Sequence, residues 1–233
     1  KAGILSLNSC GGASCGAGEQ ITNNIISACR ASGFGIVISS NHGAVNVANN
    51  QVSGCIMGLS VAGSSATSTP VNFTNNTVTA PANPSGSFGV YLTTNKQLIP
   101  GTGSIAADFT SNTISGFANG VYLYDPNHLT IDTDFYHNRL TDNTAQVVNG
   151  TSGTLISDFE ENWWGSAAGP ATGSVSAGLD FTPWCGNSAC SSLVPSAGVI
   201  EIPTGTAGSV VQQYLNNAPQ NTEIRFLGSP GSL

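Results

Sequence analysis

Charge is what this chain has least of. Only 7% of its 233 residues are charged, and the cations are limited to Lys1, Arg30, Lys96, Arg139 and Arg225. That scarcity argues against a nucleic-acid partner, which needs clustered basic side chains to neutralise phosphates. With a net charge of −7, an anionic polysaccharide is disfavoured for the same reason. No apolar run approaches the roughly 20 residues that span a bilayer, so membrane insertion is not expected. The chain opens on Lys1 without an initiator Met or a signal peptide, which suggests a processed or excised polypeptide. Charge well below the usual quarter leaves a neutral surface. Ser, Thr, Asn and Gly supply it, a composition suited to β-solenoid faces and to surface or extracellular proteins.

A periodic frame fills the space that charge leaves. Asn24, Asn50, Asn76, Asn112, Asn138 and Asn162 recur at spacings of 26, 26, 36, 26 and 24 residues. Three residues before them stand Ile21, Val47, Phe73, Phe109, Phe135 and Phe159, and two after them stand Ile26, Val52, Val78, Ile114, Leu140 and Trp164. Self-similarity at such a period is the mark of a stacked repeat architecture. The short alternating stretches, such as Val45-Asn46-Val47, predict strands rather than helices. A second register opens on glycine: Gly35-Ile36-Val37-Ile38, Gly58-Leu59-Ser60-Val61, Gly89-Val90-Tyr91-Leu92 and Gly120-Val121-Tyr122-Leu123. Each coil therefore carries about three strands.

Over roughly residues 20 to 185 this frame resembles the right-handed parallel β-helix of pectin-lyase-like proteins, in which inward asparagines form a ladder at a bend between two strands. The resemblance implies an all-β solenoid over residues 1–184. Asparagine suits such a bend because it tolerates the left-handed backbone region, and stacked amides can bond from coil to coil. The last coil, Asp158-Phe159-Glu160-Glu161-Asn162-Trp163-Trp164-Gly165 followed by Gly169-Pro170 and Asp180-Phe181-Thr182-Pro183-Trp184, is similar to the closing coil of bacterial secreted β-helix repeat proteins. Its tryptophans either plug the core or, exposed, grip a sugar.

The six cysteines pair plausibly as Cys10 with Cys15, Cys29 with Cys55 and Cys185 with Cys190. Cys29 and Cys55 each lie five residues after a ladder asparagine, so they should stack about 4.8 Å apart, close enough to bridge. Bridged cysteines imply an oxidising compartment. Zinc is the competing use, but the Cys-x4-Cys loops lack nearby histidines. Asn72, Asn75 and Asn149 begin Asn-x-Thr sequons, possible N-glycosylation sites on an extracellular surface.

One residue before each inward apolar position runs an outward column, Gln20, Asn46, Asn72, Asp108, Asp134 and Asp158. Its three stacked carboxylates are either a solvated acidic face, a weak Ca²⁺ site or the acids of a glycoside hydrolase. Aspartates on consecutive coils resemble those of polygalacturonases, although the basic residues such enzymes use are nearly absent here. Tyr91 and Tyr122, with Tyr124 beside them, should share an outer face as a glycan strip, a lateral protein contact or a cross-strand stabilising pair. His42, His128 and His137 show no ligand spacing.

After the closing coil comes a disulfide-and-Pro linker, 185–198, and then a strand–helix–strand segment, 199–233. The helix is predicted from about Ala207 to Asn217 with Val211, Tyr214, Leu215 and Ala218 on one face, and a strand carries Ile224 and Phe226. This segment resembles the amino-terminal cap of pectin-lyase-like folds, displaced to the other end. It could cap the first coil of an identical neighbour, begin a second β-helix of a longer surface protein, or fold back on its own last coil. The expected function is an extracellular or cell-surface structural or adhesive protein, assembled head to tail into a filament through Val211, Tyr214, Leu215, Ile224 and Phe226. The alternative is a carbohydrate-active or carbohydrate-binding domain with Asp108, Asp134 and Asp158 as its acids. No enzyme and no resident cofactor is required by either composition or spacing.

Overall fold

Alternating apolar residues at coil-length spacing build three flat faces around one core. The computed structural model describes residues 2–7, 18–27, 29, 33–39, 43–63, 70–95, 102–195, 198–219 and 222–228. The first sheet stacks β1 (Ala2–Leu7), β4 (Phe34–Ser39), β7 (Met57–Ala62), β10 (Phe88–Thr93), β13 (Asn119–Asp125) and β16 (Ala145–Thr151) in parallel. The second stacks β2 (Glu19–Thr22), β5 (Val45–Ala48), β8 (Val71–Thr74), β11 (Ile105–Thr110), β14 (Thr130–Tyr136) and β17 (Thr154–Asp158). The third stacks β3 (Ile25–Ile26), β6 (Gln51–Ser53), β9 (Thr77–Thr79), β12 (Thr113–Ser115) and β15 (Arg139–Thr141). Every neighbour within these sheets is parallel and one coil away, so the chain is an all-β parallel solenoid.

The repeat pairs residues in register. Phe73, Phe109, Phe135 and Phe159 form one inward column whose rings stack at centroid distances of 4.5, 4.3 and 4.8 Å, and none is exposed. Val52, Val78, Ile114, Leu140 and Trp164 form another from the third sheet, and Leu59, Val90, Val121 and Val147 a third from the first. The glycines that open the first-sheet strands are required by close approach. A Cβ on Gly89 would collide with Ile114 Cγ2 and fall 2.6 Å from the Gly120 carbonyl oxygen.

At the bend between second and third sheets, each ladder Nδ2 donates to the Oδ1 of the next asparagine. The bonds run from Asn24 through Asn50, Asn76, Asn112 and Asn138 to Asn162 at 2.9–3.0 Å. The same Oδ1 accepts the backbone N–H of the asparagine one coil earlier. The other Nδ2 proton goes back to the carbonyl of Ile21, Val47, Phe73, Phe109 or Phe135. One expectation is corrected here. The left-handed residue is the one before the ladder position: Asn23, Asn49, Asn75, Ser111, His137 and Glu161 have φ between 53° and 59°. The reversal is made by a solvent-side residue, which leaves the inward asparagine free to aim its N–H and amide along the stack.

Cys29 and Cys55 are disulfide-bonded with Cα atoms 4.7 Å apart, joining consecutive coils, and Cys185 is bonded to Cys190. Cys10 and Cys15 lie outside the described residues. Trp164 and Trp184 are buried and pack around Phe181, and Trp184 Nε1 donates to the Ala167 carbonyl at 3.0 Å. Exposed tryptophans gripping sugar are therefore not what closes this core.

Beyond the last coil come the antiparallel pair β18 (Trp184–Cys185) and β19 (Leu193–Val194), then β20 (Val199–Ile202), α1 (Gly208–Asn217) and β21 (Glu223–Phe226). The helix sits on its own chain. Gln213 Nε2 donates to the Gly169 carbonyl, Asn216 to Thr172 Oγ1, and Asn217 to the carbonyls of Ala168 and Pro170. Tyr214 is buried, Val210, Val211 and Ile224 pack against the common core, and Ile200 and Ile202 join the cluster that holds Trp184. Leu215, expected on the packing face, is instead 43% exposed, because the helix presents Val210 rather than Leu215 to the core. No helix among the described residues is long and apolar enough to cross a membrane.

Candidate functional site

The first sheet carries an aromatic depression on its outer face. Tyr91 and Tyr122 occupy matched positions of β10 and β13, and their rings stack 5.8 Å apart at 9°. Tyr124 lies 6.4 Å from Tyr91 and 6.1 Å from Tyr122, while Phe88 tilts against Tyr91 at 5.2 Å and Tyr122 at 5.1 Å. With Met57 and Asn119, these four rings line a depression of about 480 Å³. Register explains the convergence, since Met57, Phe88 and Asn119 stand opposite one another at the start of β7, β10 and β13. Burial pushes the Tyr91 hydroxyl above the ordinary phenol range, partly offset by a hydrogen bond with Thr93. No described cation faces this surface: Arg139 lies on the third sheet and Arg225 on β21. The arrangement offers flat apolar faces rimmed by hydroxyls and one amide, which suits an uncharged ligand with one apolar and one polar aspect.

The acidic column lies on a different face. Asp108, Asp134 and Asp158 are in register on β11, β14 and β17, below Asn72, Asn46 and Gln20. Burial, then the Asp134 carboxylate, holds Asp108 above the usual carboxylate range, and burial followed by Asp158 and Asp132 does the same for Asp134. Asp158 is better answered: Tyr136 Oη donates to its Oδ2 at 2.6 Å and the Glu160 N–H to its Oδ1 at 2.8 Å. The Asp158 hydrogen bond in turn raises the Tyr136 hydroxyl's pKa. Among the described residues no group of three or more His, Cys, Asp or Glu side chains converges to hold a metal ion. The three aspartates stack along one flat sheet rather than flanking a bond, and they share no sheet with the aromatic depression.

The raised carboxylates have a consequence for stability. A group whose folded pKa lies above its unfolded value favours the fold when protonated, so that contribution is present at low pH and lost as pH rises through the folded pKa. Asp134→Asn is therefore expected to raise the melting temperature by about 1–3 °C at pH 7 by removing a like-charge neighbour. The gain should shrink as pH falls through the raised folded pKa of Asp134 and be gone once the ordinary aspartate range is reached. A variant less stable than the parent at pH 7 would show that like-charge repulsion is not what governs this column.

The remaining candidates are scattered. Asn72 and Asn75 are exposed. Asn149 is half-buried, and its Oδ1 accepts from both the N–H and Oγ1 of Thr151. His137 Nε2 meets Glu161 Oε2 at 2.9 Å across one coil, His128 is exposed, and His42 is outside the described residues.

Three features were missed in the sequence. Met57, Phe88 and Asn119 each precede the glycine of a first-sheet strand, a column that could have been found by aligning one residue further back. Asn143 repeats the ladder chemistry at the next bend, with Oδ1 accepting the Phe117 N–H and Nδ2 donating to the Ile114 carbonyl. Its signal was Asp142-Asn143, the left-handed-then-inward order of Asn49-Asn50. Asp125 is buried and ties two turns together: its Oδ1 accepts from Thr94 Oγ1 at 2.6 Å and from the Asn127 and Leu129 N–H groups. No family model, no curated protein and no solved structure matches the chain, so its function is read from this geometry alone.

Proposed function

We propose that the chain is an extracellular adhesive module of the right-handed, pectin-lyase-like β-helix type, which holds a neutral glycan in the aromatic depression of its first sheet. The observation that carries this is the contact cluster of Phe88, Tyr91, Tyr122 and Tyr124 around a depression of about 480 Å³. The C–H face of a pyranose packs against such rings while its hydroxyls reach the tyrosine oxygens and the Asn119 amide. A net charge of −7 and the placement of Arg139 and Arg225 away from the face favour an uncharged sugar. The two disulfides suit an oxidising compartment. A hydrolase receives less support, because Asp108, Asp134 and Asp158 lie on another sheet from the only face equipped to stack a sugar among the described residues.

Titration calorimetry with neutral oligosaccharides tests this reading. The parent chain is expected to bind at least one of them, and Tyr122→Ala, which removes the central ring, to weaken that binding about tenfold or more. Tyr122→Phe keeps the ring and should lose less. An affinity unchanged by Tyr122→Ala, or no binding across neutral glycans, would defeat it.

A further inference from the structure

Three of the chain's five tyrosines converge on the outer face of the first sheet. The other two are committed elsewhere: Tyr136 donates to Asp158, and Tyr214 is buried with the core. Thiols are unevenly placed along the same solenoid. Cysteines stand at 10, 15, 29, 55, 185 and 190, so residues 56–184 hold none. The Cys29–Cys55 bond ties two consecutive coils, and Cys185–Cys190 closes the hairpin after the last one. In the stretch between them no thiol can join one coil to the next, and the tyrosine cluster lies there.

We propose that Tyr91 and Tyr122 are an oxidative cross-linking site, joined ring to ring by a peroxidase that consumes hydrogen peroxide. Each phenol gives up one electron and its hydroxyl proton, and the unpaired electron spreads onto the ring carbons ortho to the oxygen. Two such radicals couple through one ortho carbon each. The hydrogens on those carbons then shift to the phenol oxygens through solvent. The net change is one new carbon–carbon bond and the loss of two hydrogens, which leave with one peroxide as two waters.

Register makes this the pair that reacts. Tyr91 and Tyr122 stand directly opposite on β10 and β13, with rings 5.8 Å apart and 9° from parallel, so equivalent ring edges run side by side. Both are part-exposed, which leaves those edges open to a small oxidant. The χ2 torsion of tyrosine is broad, so the edges can tilt together with little movement of either strand. Tyr124 is farther from both and more tilted, at 6.4 Å and 22° from Tyr91 and 6.1 Å and 27° from Tyr122. The bond ties β10 to β13 around β11 and β12, and closing that loop restricts the unfolded chain as a disulfide would. The reaction needs only the rings and their spacing, whatever the depression binds.

The test is to treat the dilute full chain with a peroxidase and hydrogen peroxide, then read dityrosine fluorescence, intact mass and digest peptides. A monomer lighter by two hydrogens is expected, with the Tyr91 and Tyr122 peptides joined and the melting temperature raised by about 5 °C. Tyr91→Phe and Tyr122→Phe each keep the ring stack but should abolish the bond, whereas Tyr124→Phe should retain it. In unfolding urea the yield should fall about tenfold or more, because only the fold holds the rings together. Met57, the one methionine, lines the same depression and takes an oxygen atom instead, which the mass distinguishes. Oxygen added at Met57 with no ring coupling, links only between molecules, a bond that survives Tyr91→Phe, or an equal yield in urea would each overturn the proposal.

Discussion

Replacing Asn112 with alanine is expected to destabilise the solenoid by about 3–5 kcal/mol, the combined effect of several buried groups losing their partners at once. Asn112 is fully buried, and its Oδ1 accepts both the N–H and the Nδ2 of Asn76. Its own Nδ2 donates to the Phe73 carbonyl and to Asn138 Oδ1. Alanine strips the Asn76 N–H and one Asn76 Nδ2 proton of their acceptor and the Phe73 carbonyl of its amide donor, while Asn138 Oδ1 keeps the residue 112 N–H, and each buried group so orphaned costs about 1–3 kcal/mol before relaxation. Asn112→Asp separates shape from chemistry. It keeps the volume but presents an oxygen where Nδ2 met two oxygens, so it should be at least as destabilising at neutral pH and partly relieved in acid. Denaturant unfolding with hydrogen exchange reads both, and exchange should accelerate first at Asn76 and Asn112 themselves. A loss below about 1 kcal/mol for Asn112→Ala would mean that the ladder is decorative rather than structural.

Phe109→Ala is the second large effect, at about 3–5 kcal/mol. The ring is sandwiched between Phe73 at 4.5 Å and Phe135 at 4.3 Å, so its removal opens a cavity bounded by two rigid faces that cannot collapse without shifting β8 and β14. Phe109→Leu refills part of the space and should recover more than half of the loss. In a solenoid each coil touches only its neighbours, so the damage is expected to stay local. Hydrogen exchange should rise in β8, β11 and β14 while the Trp164–Trp184 end keeps its protection. Uniform loss of protection across all coils would instead indicate a single cooperative unit.

Much of the solenoid was legible because its two chemical demands are narrow. Only asparagine offers an acceptor and two donors on a side chain short enough to stay at the bend, so the ladder appeared as an identity that recurs without exception. The Phe73, Phe109, Phe135 and Phe159 column and the glycine-led strands were legible for a similar reason, since each sits where shape permits few alternatives. The pairing of Cys29 with Cys55 followed from equal distance to the ladder. By contrast, the left-handed column Asn23, Asn49, Asn75, Ser111, His137 and Glu161 has no shared identity, because its side chains face solvent and only the backbone is constrained.

The candidate site was half visible. Tyr91 and Tyr122 could be placed on one face by alternation, but Phe88, Met57 and Asn119 share neither residue type nor polarity and belong together only through register. The seating of α1 was open among three possibilities, since an amphipathic helix states that it covers something without stating what. Periodic identity, read along the chain, determined the coil length, the three-sheet cross-section and the inward ladder, because those depend on spacing and on groups that must pair within it. Only the folded arrangement decided which outer residues meet around a depression, which carboxylates lie on a different face from it, and that the helix rests on Ala168, Gly169 and Pro170 of its own chain. Those outcomes depend on contacts between surfaces that no local pattern brings together.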